Sequence, residues 1–273
     1  MAGKKKLLAN IVDYLDSNLK VSTLLESKQL VVSSSLESAV SSADIVQEQG
    51  PETVSFKQDI WPKIEIVAPE TALFWSSTSG IPSSVQGARM QKPERLLIVH
   101  PFNPPHIMPV LEIVPGIKPS EEYTDRTVDY WKTLNRTPVV LKKETTGFVA
   151  NRLSFALFRE ACHLVNSGVV TPAELDRIVE ESMGPRWAVK GPFWSYHAGG
   201  GKEKGLEGFL EKIGGTVQAC WDDQGSLSLD SAGGERWEEG LCRQVEAEYG
   251  MLADEDLRER DEKTRRVLDI TRS

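Results

Sequence analysis

The chain has 273 residues, of which 40% are hydrophobic and 26% are charged, and its formal net charge is −8. This length and composition are typical of one large or two ordinary globular domains with a sizeable core. The acidic balance argues against a nucleic-acid surface, which needs clustered positive charge.

Targeting and redox signals are weak in this sequence. No apolar run is long enough to span a membrane, and the apolar residues near the N-terminus are interrupted by acidic ones, which does not fit a secretory signal. The three cysteines, Cys162, Cys220 and Cys242, show no C-x-x-C spacing and suit a reducing compartment better than a disulfide framework. We therefore expect a cytoplasmic enzyme or binding protein that contacts neither nucleic acid nor membrane.

The first half of the chain predicts strands that alternate with helices. Helical spacing of apolar residues covers 4–25, and residues 29–32 are a candidate strand. Ser34 or Ser35 is positioned to cap a short helix that ends at Val40. Further strands are predicted at 44–48, 71–75, 96–100, just after residue 112 and at 137–141, with helices from 52 through 64, at 81–90 and at 120–134. This alternation is typical of βαβ units and a parallel sheet.

From residue 146 onward the apolar spacing is helical throughout. Residues 148–165 predict a long, largely buried helix. Thr171 and Glu174 form a capping box for the next helix, with Pro172 at its first position. Later helices are separated by predicted loops at the glycines 199–201, 214–215 and 233–234, and a solvated charged helix spans 255–266.

These patterns divide the chain into two predicted domains. Residues 1–145 form an α/β domain and residues 146–273 form an all-α domain, with the boundary near residues 142–146.

The strongest candidate for chemistry is His100, which ends the apolar strand at 96–100 and precedes Glu112 by twelve residues. Open α/β sheets bind their ligands at the carboxyl ends of strands. An imidazole, with an ordinary pKa of about 6.5, suits proton transfer near neutral pH, and a carboxylate on its other nitrogen would fix the tautomer. A histidine that caps the strand and an unrelated surface glutamate remain the alternative. A metal site built from His100, His106 and Glu112 is disfavoured, because no helical i,i+4 pair or fourth donor accompanies them.

Two further segments place polar groups near the same edge. The turn at residues 76–80 follows a strand, so its hydroxyls can converge on the same crevice or can simply cap a helix. It is no nucleophile elbow, since Ser79 lacks a glycine two positions earlier. Asn151 lies near the start of an apolar helix, where a buried amide needs partners. Spacing alone does not decide between an internal network and a donor to a bound carbonyl.

Together these segments resemble the L-3-hydroxyacyl-CoA dehydrogenase family of NAD-dependent enzymes, nearest its lambda-crystallin / L-gulonate 3-dehydrogenase branch. The resemblance runs from about residue 31 to the charged C-terminal helix. It rests on segments that occur in the family's order: 44–52, 76–80, 100–104, Glu112, 147–152 and 184–185.

The resemblance implies a role for each site residue. His100 would take the hydroxyl proton while a hydride passes to NAD, and Glu112 would orient His100. Ser79 and Asn151 match the hydrogen-bond donors to the substrate oxygen. The positions that match nicotinamide-side contacts are Glu52, Lys57, Ser79 and Asn103.

The implied substrate is an L-3-hydroxyacyl-CoA or a small 3-hydroxy acid, oxidised to a ketone. Ser77 and Gly80 replace the asparagine and serine of the acyl-CoA members, and the run at residues 100–105 is similar to the branch that acts on small hydroxy acids. The family usually dimerises through its helical domain, so we expect a homodimer. The alternative is a non-catalytic, crystallin-like homologue or pseudoenzyme that acts through that same domain.

The sequence departs from the family at its beginning. The family starts with a strand, a G-x-G-x-x-G turn and a helix, whose backbone N–H groups bind the pyrophosphate, and nothing before Lys4 matches them. We therefore expect a partial, N-terminally truncated Rossmann-like parallel sheet that binds NAD weakly or not at all. The strand near Ile45 would then have an open edge, unless residues 29–32 pair with it.

Overall fold

The computed structural model describes residues 20–118, 120–229 and 237–272. Its contacts divide the chain into two compact units, one up to Asn151 and one from Arg152 onward.

The first unit is built on a five-stranded sheet with helices along both faces. Its strands are β1 (Ile45–Glu48), β2 (Leu73–Ser76), β3 (Leu96–Pro101), β4 (Val110–Pro115) and β5 (Thr137–Val140). Its described helices are α1 (Val21–Glu26), α2 (Leu36–Val40), α3 (Val54–Val67), α4 (Ser83–Gln86) and α5 (Glu121–Thr133), with a 3-10 turn at Pro93–Arg95.

The strands lie in the order β1-β2-β3-β4-β5, and their directions are mixed. β1, β2 and β3 are parallel, as predicted, but β4 runs antiparallel to β3, and β5 is parallel to β4. A parallel return needs a crossover of roughly a dozen residues or more. Residues 102–109 are too few for that, so β4 has to fold back beside β3.

The sheet is apolar on both faces because alternate residues of each strand point to opposite sides. On one side Phe74 and Leu96 pack with Trp61 of α3. On the other side Trp75 packs with residues of α5, and its Nε1 donates to Thr127 Oγ1 at 2.9 Å. Burial on both faces explains why the central strands are continuous apolar runs.

Two further predictions for the first unit are wrong. Residues 29–32 form no strand, because the Leu30 N–H donates to the Leu24 carbonyl, 2.9 Å away, and holds this segment against the end of α1. The predicted helix over 81–90 is reduced to the single turn of α4, since Pro82 precedes it and the chain turns away at Gly87.

The open edge expected at β1 stays a prediction. β1 is the outermost strand of the sheet, and no described strand pairs with its free side. Ser35 caps α2 by accepting from the Ser38 N–H, as expected. The part of the predicted helix at 4–25 that precedes residue 20 lies outside the described residues.

All the regular elements described in the second unit are helices. Its helices are α6 (Ala150–Asn166, whose first two residues belong to the first unit), α7 (Pro172–Glu181), α8 (Met183–Val189), α9 (Pro192–Gly199), α10 (Gly205–Asp223), α11 (Trp237–Tyr249) and α12 (Asp254–Arg272). The capping box at Thr171 and the charged C-terminal helix are confirmed.

Other predictions for this unit need correction. The glycines 214–215 lie inside α10, where the residues on both sides continue the helix. The glycines 233–234 lie outside the described residues. The predicted burial of α6 is wrong over its first turns: Leu153, Phe155 and Phe158 are each 60% or more exposed, because no described element covers these side chains.

In the described part of the chain, no helix combines the length and the apolar character needed to cross a bilayer.

Candidate functional site

His100 and Glu112 form a buried pair at the carboxyl end of β3. His100 Nδ1 lies 3.0 Å from Glu112 Oε2, and the two residues are 5% and 4% exposed. The antiparallel register places them directly opposite each other. The carboxylate occupies one ring nitrogen, and Nε2 makes no hydrogen bond to a described residue. Nε2 is therefore the nitrogen left for an exchangeable proton.

The second oxygen of Glu112 is held by the backbone at the start of α6. Glu112 Oε1 accepts from the Val149 and Ala150 N–H groups at 2.8 and 3.0 Å. Burial by itself raises the pKa of Glu112, but the hydrogen bonds from His100 and from these two amides outweigh it and lower the pKa below the usual value. Glu112 is thus a fixed, charged partner for His100.

The turn before α6 makes this arrangement possible. Gly147 and Phe148 both have positive φ, at 73° and 54°, which reverses the chain and points the next two N–H groups toward Glu112. The Phe148 side chain is fully buried, and its ring centre lies 5.2 Å from that of His100. One side of the imidazole is therefore covered by an apolar ring.

Ser79 and Asn151 are joined through the backbone. The Asn151 side-chain amide donates to the Ser79 carbonyl at 3.0 Å, and the Ser79 N–H donates to Glu52 Oε1 at 3.0 Å. An amide nitrogen carries two hydrogens, so Asn151 keeps a second donor after this bond. Ser79 follows β2, which ends at the same edge of the sheet as His100, and Asn151 lies in the first turn of α6, next to the amides that bind Glu112.

Glu52 and Lys57 are joined to each other and to a carboxylate that the sequence analysis missed. Lys57 Nζ lies 3.3 Å from Glu52 Oε2 and 2.8 Å from Glu48 Oε2. Burial tends to raise the pKa of Glu52, but the Thr78 hydroxyl, Lys57 and the Ser79 N–H together lower it. Nothing in β1 alone marks Glu48, because the lysine that pairs with it lies on α3.

Asn103 is not connected to this group. It is exposed in the loop after β3, and its side chain makes no hydrogen bond to a described residue. The structure thus links six of the seven predicted site residues, and adds Glu48. One set is His100 with Glu112, and the other is Glu48, Lys57, Glu52, Ser79 and Asn151.

The site fits a dinucleotide only in part. The polar side chains at the carboxyl edge of β1 and β2 suit the amide and charge of a nicotinamide ring. A pyrophosphate needs a glycine turn and a helix N-terminus, and the described residues that precede β1 contain no glycine.

Two family models match the chain. The 3-hydroxyacyl-CoA dehydrogenase NAD-binding domain matches residues 6–145, and the 3-hydroxyacyl-CoA dehydrogenase C-terminal domain matches residues 147–215. The chain belongs to the 3-hydroxyacyl-CoA dehydrogenase family. NAD is therefore the cofactor of its family, and a Rossmann-like domain followed by a helical domain is its fold class.

Several relatives are named L-carnitine dehydrogenase. The chain is 41% identical to that of Oceanobacillus iheyensis over 187 residues, which are 68% of this chain and 61% of the relative. It is 35% identical to that of Streptomyces griseus subsp. griseus over 245 residues, which are 90% of this chain and 71% of the relative. The chain thus spans less than two thirds of the length of the Oceanobacillus protein.

A solved structure shares the fold across most of the chain. It is 5-formyl-3-hydroxy-2-methylpyridine 4-carboxylic acid 5-dehydrogenase, described as an NAD+-dependent dismutase. It is 28% identical and superposes with a TM-score of 0.70, covering 92% of this chain and 82% of that one. The lambda-crystallin branch of the family remains a prediction.

Proposed function

We propose that this chain carries the proton-transfer site of an NAD-dependent dehydrogenase that oxidises the 3-hydroxyl of a small 3-hydroxy acid to a ketone. One observation carries the proposal: Glu112 occupies His100 Nδ1 in a buried pair and leaves Nε2 without a partner among the described residues. This is the arrangement that a general base needs.

In this proposal the residues of the chain handle the proton. The Glu112 carboxylate accepts from Nδ1–H, so the lone pair lies on Nε2 and receives the hydroxyl proton of the substrate. The negative charge of Glu112 then stabilises the imidazolium that forms. NAD, when bound, supplies the acceptor for the hydride. Ser79 and the free hydrogen of the Asn151 amide are the proposed donors to the substrate oxygen.

For the cofactor, we propose that Glu52, Lys57, Ser79 and Asn103 contact the nicotinamide end. Residues 1–145 would form the cofactor domain, and residues 146–273 the substrate and dimerisation domain. We also propose that the protein acts in the cytoplasm.

The substrate class is argued from chemistry and from the relatives. L-carnitine is itself a small 3-hydroxy acid, and Ser77 and Gly80 depart from the acyl-CoA members in the turn after β2. A small 3-hydroxy acid, with L-carnitine as the first candidate, is therefore favoured over an L-3-hydroxyacyl-CoA.

A second function is supported by the surface of α6. Three large apolar side chains on its first turns are exposed, namely Leu153, Phe155 and Phe158. Large apolar side chains left exposed on neighbouring turns of one helix favour an association site. We propose that α6 takes part in a homodimer. A non-catalytic, crystallin-like protein would use the same surface without the chemistry.

The experiment follows NADH formation at millimolar NAD with L-carnitine, L-3-hydroxybutyrate and L-3-hydroxybutyryl-CoA in turn. We expect turnover with a small hydroxy acid and a loss of roughly 100- to 10,000-fold in His100→Gln, the usual contribution of a general base. His163→Gln, a histidine of α6 outside the site, is the matched control and should keep wild-type activity. No substrate-dependent NADH at any NAD concentration would support the non-catalytic alternative.

A further inference from the structure

Lys57 is a charged side chain with almost no access to solvent. It lies in the first turn of α3, is 1% exposed and has carboxylates on two sides. A buried ammonium is costly unless it is paired and hydrogen-bonded. The identity of its counter-ion therefore decides how this part of the site is charged.

The two carboxylates around Lys57 have different surroundings. Glu48 is buried, lies closer to Lys57 Nζ at 2.8 Å, and also accepts from the Ser76 hydroxyl at 3.0 Å and from the Gly50 N–H. The Glu52 side chain is 47% exposed and lies farther from the ammonium, at 3.3 Å. Its other oxygen accepts from the Thr78 hydroxyl and the Ser79 N–H.

Two carboxylates and one ammonium leave one uncompensated negative charge. Because Glu48 is the closer and the more deeply buried partner, it neutralises Lys57, and the remaining charge lies on Glu52 at the accessible side. We propose that Glu48 is a positioning residue, which holds and neutralises Lys57 so that Glu52 presents a negative charge to the ligand. This extends the proposed function, in which the ligand at that position is the nicotinamide end of NAD.

The proposal has a consequence for the ligand. The nicotinamide ring is cationic in NAD+ and neutral in NADH. A negative charge on Glu52 favours the oxidised form relative to the reduced form. Removing either carboxylate would leave the group neutral and weaken that preference.

The first experiment needs no cofactor. The folded chain is treated with an amine-acetylating reagent, and the rate at Lys57 is read by peptide mass spectrometry. We expect Glu48→Gln to raise the acetylation rate of Lys57 roughly tenfold or more. Loss of a charged hydrogen-bond partner makes exposure of the buried ammonium more favourable by about that factor. Glu52→Gln should leave the rate near that of the wild type. The proposal is overturned if Lys57 reacts in Glu48→Gln at the wild-type rate, or if it reacts in Glu52→Gln as fast as in Glu48→Gln.

Circular dichroism checks that each variant is folded. If Glu48→Gln does not fold, Glu48→Asp replaces it in the acetylation experiment. This variant keeps the charge but moves it away from Lys57, so the acetylation rate should again rise above that of the wild type.

The second experiment compares equilibrium binding of NAD+ and NADH at millimolar concentrations. The affinity for NAD+ divided by that for NADH should fall in Glu48→Gln and in Glu52→Gln. It should return to the wild-type value in the double variant Glu48→Gln/Lys57→Met, which leaves the charge of Glu52 uncompensated. If Glu48 had only a structural role, removing Lys57 as well would not restore the ratio of affinities. A ratio that stays low in the double variant therefore counts against the proposal. If neither form binds, the cofactor assignment fails, while the acetylation rates still decide the role of Glu48.

Discussion

His100 of β3 and Glu112 of β4 are cross-strand partners in the antiparallel part of the sheet. The sheet therefore brings together two side chains that lie twelve residues apart in the sequence, and the backbone before α6 holds the carboxylate from its other side. The pair is fixed by three elements at once, which is what a preorganised base requires.

The first prediction concerns the stability of the fold in acid. The pKa of Glu112 is lowered in the folded state, so its contribution to stability is present above its ordinary pKa of 4.5 and is lost as the pH falls toward the lowered value. Glu112→Gln has no such titration. The difference in melting temperature between wild type and variant should thus be largest at neutral pH and should shrink as the pH falls below 4.5. A difference in melting temperature that stays the same as the pH is lowered would contradict the prediction.

The second prediction concerns the affinity for the cofactor. Without a glycine turn between residue 20 and β1, the pyrophosphate has no backbone N–H cradle in the described residues. We expect a titration of NADH fluorescence against the purified chain to give binding weaker than micromolar, or none. Micromolar affinity would show that other residues bind the dinucleotide.

The third prediction tests the cap of α7. The Thr171 hydroxyl accepts from the Glu174 N–H, and the Glu174 carboxylate accepts from the Thr171 N–H at 2.9 Å. Thr171→Ala removes one of these bonds and should lower the free energy of urea unfolding by about 1 kcal/mol. Thr171→Ser keeps the hydroxyl and should stay near the wild type. Equal losses in the two variants would mean that the methyl group, and not the cap, matters.

The fourth prediction tests the exposed face of α6. Burying a large apolar side chain contributes about 1.5–3 kcal/mol, so Phe155→Ser/Phe158→Ser should dissociate a dimer that this face holds together. Analytical ultracentrifugation should show a dimer for the wild type and a monomer for the double variant. Ile117→Ser, at an exposed site of the first unit, is the control and should remain dimeric. A wild-type chain that sediments as a monomer would rule out this interface.

Local features were well predicted from the sequence. Ser35 and Thr171 cap their helices as expected, because a cap depends only on residues three or four positions away. The strands at residues 45, 73 and 96 were also found, since burial on both faces leaves a continuous apolar run in the sequence. His100 was placed at a strand end on the same local evidence.

Features that depend on contacts between different elements were missed or left open. The bond from Leu30 back to Leu24 displaced a predicted strand, and the short link before β4 reversed a strand that was expected to be parallel. Glu48 was overlooked because its partner Lys57 lies on the next element. The sequence of the strand alone does not show that this carboxylate is paired.

The sequence by itself determined where most of the strands and helices lie, which helix caps form and which residue types gather near the end of β3. These features follow from contacts within a few positions along the chain. Only the tertiary structure decided that Glu112 faces His100, that Glu48 faces Lys57 and that the face of α6 is exposed. Strand register and burial are set by the packing of the whole sheet and of whole helices, and no single segment contains that information.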